Sequence, residues 1–168
     1  GLTAHIQFAH PICTRLKNII ESSSKSLDLN LSSGGTYLAM EGPQFSTLAE
    51  SNMYRNWGCD VIGMTNMPEA KLAREAEMCY STVAMVTDFD CWHPNHDAVS
   101  VSEIIRVLSD NSNNAKSLLK AVIPKLENNN SEFNCTCNRA LDNAIITAPE
   151  ARDKKMLNQL KNIIGRVT

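Results

Sequence analysis

The sequence predicts an α/β fold with a mixed or parallel sheet flanked by helices, on three observations. Between residues 36 and 90, strand-like and helical patterns alternate in the order strand, helix, strand, helix, strand. That order implies a parallel sheet with crossover helices. Residues 82–86 (TVAMV) form an apolar run of the length and type of a strand buried on both faces. Beyond it, Ile104, Ile105, Leu108, Ala115, Leu118, Leu119 and Val122 recur at helical period, which predicts one long C-terminal helix.

Each element has its own local warrant. Residues 4–9 (AHIQFA) are a short strand candidate, broken by His10-Pro11. From Pro11, which suits a first turn, Leu16, Ile19, Ile20 and Leu27 share a helical face. Residues 32–35 (SSGG) make a turn, residues 36–41 (TYLAME) a strand, and Gly42-Pro43 ends it. Thr47 and Glu50 have capping-box spacing and start a helix with Met53, Tyr54 and Trp57 on its expected buried side. Gly58 stands where a C-terminal glycine belongs. Residues 60–64 (DVIGM) are a second strand, and Pro68 opens a helix whose expected apolar face is Leu72, Ala73 and Ala76. The run at 82–90 follows as the central strand. Ser100 and Glu103 repeat the capping-box spacing before the long helix. Residues 127–134 are polar and expected to be loose, and a last helix is predicted over 149–164. No repeat and no domain linker interrupts the pattern.

Composition narrows the function classes. The 168 residues suit one domain or part of a larger one, and 43% hydrophobic content supports a packed core. A net charge of −2 without a basic block gives no footprint for nucleic acid or a membrane surface. No apolar run approaches the roughly 18 residues of a membrane span. With no secretory signal pattern, the six cysteines are expected to be reduced thiols of a cytoplasmic protein. Residue 1 is Gly rather than Met, so the chain is expected to be a trimmed or processed piece of something longer.

The chemistry concentrates at strand ends. Asp88 and Asp90 lie two apart, so an extended chain points both carboxylates to one side. A parallel sheet binds ligands at the C-terminal edge of its strands, where these acids fall. A loop with two solvated aspartates accounts for the spacing equally well. Phe45 follows the Gly42-Pro43 turn just before a helix start and is a candidate stacking platform for a flat ligand; a staple onto its own helix is the alternative. Met64-Thr65 ends another strand at the same edge, and the Thr65 hydroxyl beside a helix N-terminus suits an anion. Cys91, His93 and His96 have only Cys135 and Cys137 to complete a zinc set, a poor spacing. Cys135-Thr136-Cys137 suits a strained redox disulfide, but two reduced thiols are the commoner state in the cytoplasm. Phosphate loops of both glycine-rich kinds and the G-x-S-x-G elbow are absent.

The segments GGTYLAMEGPQFSTLAES, YRNWGCDVIGMTNMPEAKLAREAEMCY and TVAMVTDFDCW closely resemble the 5′-methylthioadenosine phosphorylase family, within the trimeric purine nucleoside phosphorylase superfamily. The resemblance runs over residues 4–126, and the tail RALDNAIITAPEARD looks like the bacterial form. It implies a nucleoside phosphorylase fold, of which this chain is the C-terminal portion of one domain. It also implies a homotrimer and the phosphorolysis of 5′-methylthioadenosine to adenine and 5-methylthioribose 1-phosphate. Phosphate is then a co-substrate, and neither a cofactor nor a metal is implied.

By the same resemblance, Phe45 flanks the base, Met64 contacts the ribose and Thr65 the phosphate. Asp88 hydrogen-bonds the imidazole nitrogen of the purine, Asp90 accepts from its 6-amino group, and Val101 and Ile104 wall the 5′-methylthio pocket. Two neighbouring acids cannot both ionise cheaply, so one is expected to be protonated and to donate. The family's early Thr or Ser and its Arg-His phosphate pair have no match in this chain, and neither do its first strands. A separate N-terminal chain is one way to supply them. Leu48 stands where many relatives have Arg, on a helix surface. The alternative readings are a non-catalytic fragment or pseudoenzyme subunit, and a purine nucleoside phosphorylase for another nucleoside. The acid pair argues against 6-oxo substrates, which offer no donor to a second carboxylate.

Overall fold

The computed structural model describes residues 1–93, 101–128 and 135–168, except the side chains at 101, 103, 104, 127 and 128. Its elements are α1 (Thr14–Ser26), β1 (Tyr37–Ala39), α2 (Leu48–Asn56), β2 (Val61–Gly63), α3 (Asn66–Glu75), α4 (Val101–Asn128) and α5 (Lys154–Ile164). Short 3-10 turns occupy Cys137–Arg139 and Pro149–Ala151. The chain divides into two compact units, one made of Gly1–Asn18, Met67–Thr82 and Asn130–Thr168, the other of Ile19–Asn66 and Val83–Asn129.

The second unit is built on a β-α-β crossover. β1 and β2 pair in parallel with Tyr37 opposite Val61, Leu38 opposite Ile62 and Ala39 opposite Gly63. The Asp60 carboxylate accepts from the Thr36 N–H at 2.7 Å and starts the ladder. Gly35 (φ +109°) is required there, because a Cβ would come within 2.8 Å of that carboxylate. The connecting helix α2 opens with the expected capping box. Thr47 accepts from the Glu50 N–H at 3.2 Å, and Glu50 accepts from the Thr47 N–H at 2.8 Å. Gly58 takes φ +76° just past the helix end, as its position in the sequence predicts. The apolar core of this unit is Ile19, Leu118 and Val122, with Ile20, Leu29 and Leu126 against it.

The first unit closes around Leu141, Ala144 and Ile164, packed by Leu2, Ile6, Leu157, Leu160 and Val167. Asp153 caps α5 by accepting from the Met156 N–H at 2.8 Å, and the helix turns its apolar side inward at Leu157, Leu160 and Ile164. Glu77 ties the unit together. Its carboxylate accepts from the Leu141 N–H at 2.9 Å and from both Nε and Nη2 of Arg166, while Arg166 also pairs with Asp142 at 2.6 Å.

Several expected elements differ. Residues 4–9 form no strand; a single antiparallel bridge joins Ala4 to Ile145, because Leu2 and Ile6 turn into the core rather than alternating across a sheet. The segment 82–90 is not a strand either. Among the described residues the sheet has two strands, and the carbonyl of Val86 is taken by the Asn111 side chain at 2.9 Å. Val83, Met85 and Val86 are exposed. An apolar run becomes a buried strand only when a neighbouring strand supplies its ladder, and among the described residues none lies beside it.

On α2 the buried residue is Ser51, whereas Met53 is partly exposed and Trp57 is 64% exposed. α3 buries Ala70 and leaves Leu72 out, since a small residue permits the closer approach. α4 is the expected long helix, with 28 residues, but among its described side chains Ile105, Leu108 and Leu119 face out while Leu118 and Val122 are covered. Its expected cap at Ser100, the Glu103 side chain, and residues 129–134 of the expected loose stretch lie outside the described residues. The last helix starts at Lys154, not Pro149, because Arg152 and its cap Asp153 are extended.

The Arg166 guanidinium, first, and the Leu141 N–H hold the Glu77 carboxyl below the usual carboxylate range against the opposing effect of burial. A carboxyl lowered on folding contributes stability above its unfolded pKa and loses it as the pH falls through the folded one. Glu77→Gln is therefore expected to cost about 1 kcal/mol at neutral pH, a modest value because Arg166 is partly solvated. The gap in urea midpoint between variant and wild type should close as the pH falls from 4.5 through the lowered value. A gap that does not vary with pH would rule out this ion pair as its source.

Candidate functional site

The expected site residues all belong to the second unit. Because β1 and β2 run parallel and in register, the chain leaves both at one edge, as 40–43 after β1 and as Met64 and Thr65 after β2. The two exits touch. A Cβ on Gly42 (φ +71°) would come within 2.7 Å of the Met64 Sδ, so glycine is what lets the Met64 thioether lie on this backbone. Thr65 is exposed and immediately precedes the first residue of α3. That position puts a hydroxyl at a helix start, where an anion is favoured.

Phe45 lies in the loop between Gly42-Pro43 and the cap of α2, and its ring is 84% exposed. The ring therefore does not act as a staple on α2. Ser46, beside it, donates to Asp90 Oδ2 at 3.0 Å, and the Cys91 N–H donates to Asp90 Oδ1 at 2.8 Å. Cys91 Sγ also points to the Ser46 carbonyl at 3.6 Å. The two loops are thus stitched together at Asp90.

On the buried side of α2, Ser51 is 1% exposed and its hydroxyl has no partner at full hydrogen-bond distance, yet its dipole still favours the ionised Asp90. Burial pushes the Asp90 carboxyl up, but Ser51, the Cys91 N–H and Ser46 outweigh it and hold the group below the usual carboxylate range. Asp90 is therefore an anion, equipped to accept. Asp88 is exposed, and its Oδ1 accepts from the Thr87 hydroxyl at 3.1 Å.

The sequence reading missed the aromatic support behind these acids. Phe89 stacks on His93 with ring centroids 4.5 Å apart and meets Trp92 edge-on at 5.7 Å. The Arg55 guanidinium of α2 lies 3.7 Å over the Trp92 ring and holds it by a cation–π contact. The signal was present as an aromatic on each flank of Asp90, but their contacts depend on α2 and not on neighbours in sequence. Ser46 had a weaker signal still: a hydroxyl one residue before a cap that it does not serve.

Val101 and Ile104 lie on the first turn of α4; their side chains, and with them the expected pocket wall, are outside the described residues. The described members of the zinc set drawn from Cys91, His93, His96, Cys135 and Cys137 have other neighbours. His96 is outside the described residues, Cys91 faces Ser46 and His93 faces Phe89. Cys135 and Cys137 instead belong to a different group, with Cys13 and Cys79.

Comparison with known proteins places the chain by family. The sequence profile of the phosphorylase superfamily matches residues 3–124. The S-methyl-5′-thioadenosine phosphorylase of Rhodospirillum rubrum is 57% identical over 167 residues, covering 99% of this chain and 57% of its own length. The protein of the same name from Bradyrhizobium diazoefficiens is 53% identical, with 99% and 57% covered. Among solved structures, a methylthioadenosine phosphorylase from an Antarctic soil metagenomic library superposes with a TM-score of 0.87 at 40% identity, over 97% of this chain and 57% of that one. A methylthioadenosine phosphorylase from Schistosoma mansoni in complex with adenine gives 0.72 at 26% identity, over 83% and 55%. The chain thus spans 57% of the length of the first two relatives.

If Ser46 holds Asp90 in its ionised state, Ser46→Ala should raise the Asp90 carboxyl pKa. A carboxyl-carbon NMR titration of both proteins reads this directly. An unchanged Asp90 midpoint would mean that the Ser46 hydroxyl has no part in setting it.

Proposed function

Because this chain belongs to the phosphorylase superfamily, we propose that it forms the purine-binding part of an enzyme that phosphorolyses 5′-methylthioadenosine. The products are adenine and 5-methylthioribose 1-phosphate. The observation that carries the reading is identity at or above one half, across nearly the whole chain, to relatives bearing that name. The geometry is compatible with it through an ionised acceptor, Asp90, fixed beside an exposed aromatic.

In this reaction a phosphate oxygen forms a bond to C1′ of the ribose as the C1′–N9 bond breaks, and the adenine leaves with the bonding electrons and takes up a proton. Donors that meet the charge growing on the purine lower the barrier. Asp88 serves as the acid toward the imidazole nitrogen, and Asp90 accepts from the 6-amino group. Phe45 covers one face of the base, Met64 touches the ribose, and Thr65 at the start of α3 holds part of the phosphate. Val101 and Ile104 enclose the methylthio group, where an apolar wall disfavours the hydroxyl of adenosine.

The chemistry needs no redox cofactor, and phosphate is consumed as a substrate. The remaining phosphate ligands come from the rest of a complete subunit, or from a separate N-terminal chain, and complete subunits assemble as a cytoplasmic homotrimer. No helix among the described residues is long and apolar enough to cross a membrane.

The test is an assay of the complete protein with 5′-methylthioadenosine, with and without phosphate. Phosphate-dependent release of adenine is expected; its absence overturns the reading. These 168 residues alone should show no turnover, since one hydroxyl and one helix end cannot organise the nucleophile. Turnover by them would remove the need for further phosphate ligands.

In the complete protein, Asp88→Asn should shift preference from 6-amino toward 6-oxo purines. A protonated Asp88 donates one hydrogen bond and accepts another, which suits the ring nitrogen and the amino group beside it, whereas an amide always donates and serves a 6-oxo oxygen as well as the neighbouring nitrogen. The adenosine-to-inosine ratio of kcat/KM should fall on the order of ten- to a hundredfold, the effect of one mismatched polar group in a buried site. Equal loss with both substrates would show that Asp88 does not read the 6-position.

A further inference from the structure

The first unit contains a cluster that the reaction does not use. Cys13, just before α1, Cys79, just after α3, and Cys135 and Cys137 at a 3-10 turn bring their sulfurs together from three distant stretches of sequence. All four Sγ atoms lie within 4.8 Å of one another, and Cys79 and Cys135 are 3.5 Å apart. All four are free thiols; Cys13 and Cys137 are buried, and the other two are half-buried.

A tetrahedral zinc with Zn–S bonds of about 2.3 Å places its sulfurs about 3.8 Å apart. The observed spread brackets that edge, so the cluster needs only small side-chain adjustments to close on a metal.

Two further features separate this cluster from ordinary apolar packing of cysteines. First, a cation is aimed at it. Arg15 Nη2 approaches Cys79 Sγ at 3.9 Å. A guanidinium gains only a weak hydrogen bond from a neutral thiol, whereas it offsets part of the net charge of −2 that four thiolates around Zn²⁺ carry. Second, the backbone is already fixed around the sulfurs. The Cys13 N–H donates to the Tyr80 carbonyl at 2.8 Å, locking the first two ligand segments together.

We propose that Cys13, Cys79, Cys135 and Cys137 form a closed structural Zn²⁺ site. Four thiols bind as thiolates, their protons pass to water, and no coordination position remains for substrate. Soft thiolates in this arrangement select zinc over the oxygen-loving divalent ions. The site joins residues before α1 and after α3 to the C-terminal stretch, and it supplements a core whose fully buried apolar residues are few. It also accounts for the C-x-C pair, which the expectation of two simply reduced thiols left without a role.

The experiment uses the complete protein, purified under reducing conditions. Metal analysis should find one zinc per chain. After removal of the zinc, Co²⁺ titration should saturate at one equivalent, with the intense visible bands of tetrahedral thiolate coordination. Zinc loading should protect Cys13, Cys79, Cys135 and Cys137 from alkylation, mapped peptide by peptide, while Cys59 and Cys91 stay reactive as internal controls.

Cys135→Ser should abolish the cobalt bands. Because that variant could misfold, Arg15→Leu provides a second measure, keeping every ligand while weakening zinc affinity by about 10- to 100-fold. A protein without zinc whose reduced thiols give no cobalt bands overturns the proposal, as does finding the four cysteines in disulfides with no metal uptake after reduction. Iron at one per chain in place of zinc overturns the choice of metal. An Arg15→Leu variant with unchanged affinity overturns the role of the guanidinium.

Discussion

The parallel ladder between β1 and β2 is the constraint on which the candidate site depends. Three register pairs bring the chain out of both strands at the same edge. Only then can Gly42 and Met64, twenty-two positions apart, occupy one spot, with the thioether lying where a Cβ would be. The loop that carries Phe45 and Ser46 is held by that contact at one end and by the capped start of α2 at the other. Ser46 then carries the restraint to Asp90 through a charge-assisted hydrogen bond. A short piece of sheet therefore fixes an aromatic, a hydroxyl and a carboxylate relative to one another, although none of the three belongs to a strand.

Asp90 and Asp88 are two residues apart and have different surroundings. Asp90 receives an N–H and a hydroxyl, with a second hydroxyl close by, and ionises readily despite partial burial. Asp88 is exposed, and its carboxylate accepts from the hydroxyl of its neighbour Thr87. The like-charge argument from sequence required one of the two acids to give way. The local donors hold Asp90 below the usual carboxylate range, so it is the anion. The aromatic group of Phe89, Trp92 and His93, clamped by Arg55, stiffens the same loop on its far side.

The first unit rests on different physics. Its apolar core is small, and polar links supplement it: Glu77 receiving Arg166 and the Leu141 N–H, Arg74 donating to the His10 carbonyl at 2.7 Å, and a cluster of four sulfurs. Each of these joins residues more than fifty positions apart. Such links lose much of their value if one partner is removed, because a buried polar group is then left unpaired.

The sequence by itself determined what depends on near neighbours. The Thr47–Glu50 box, Gly58 after α2, both short strands, the edge on which Thr65 falls and the long α4 were all legible, because caps, turns and period are set within a few residues. The family was legible too, since its motifs are contiguous. The tertiary structure alone decided which residues are covered and what they touch. The apolar run at 82–86 has the composition of a buried strand, but among the described residues no strand pairs with it, and Val86 gives its carbonyl to Asn111 instead. Trp57 was expected inside and lies outside, while Ser51 takes the buried position. Cys13 and Cys79 carry no metal-ligand spacing with Cys135 and Cys137, and only folding brings the four sulfurs together. Burial and ligand sets depend on contacts between distant residues, and chain spacing does not encode those contacts.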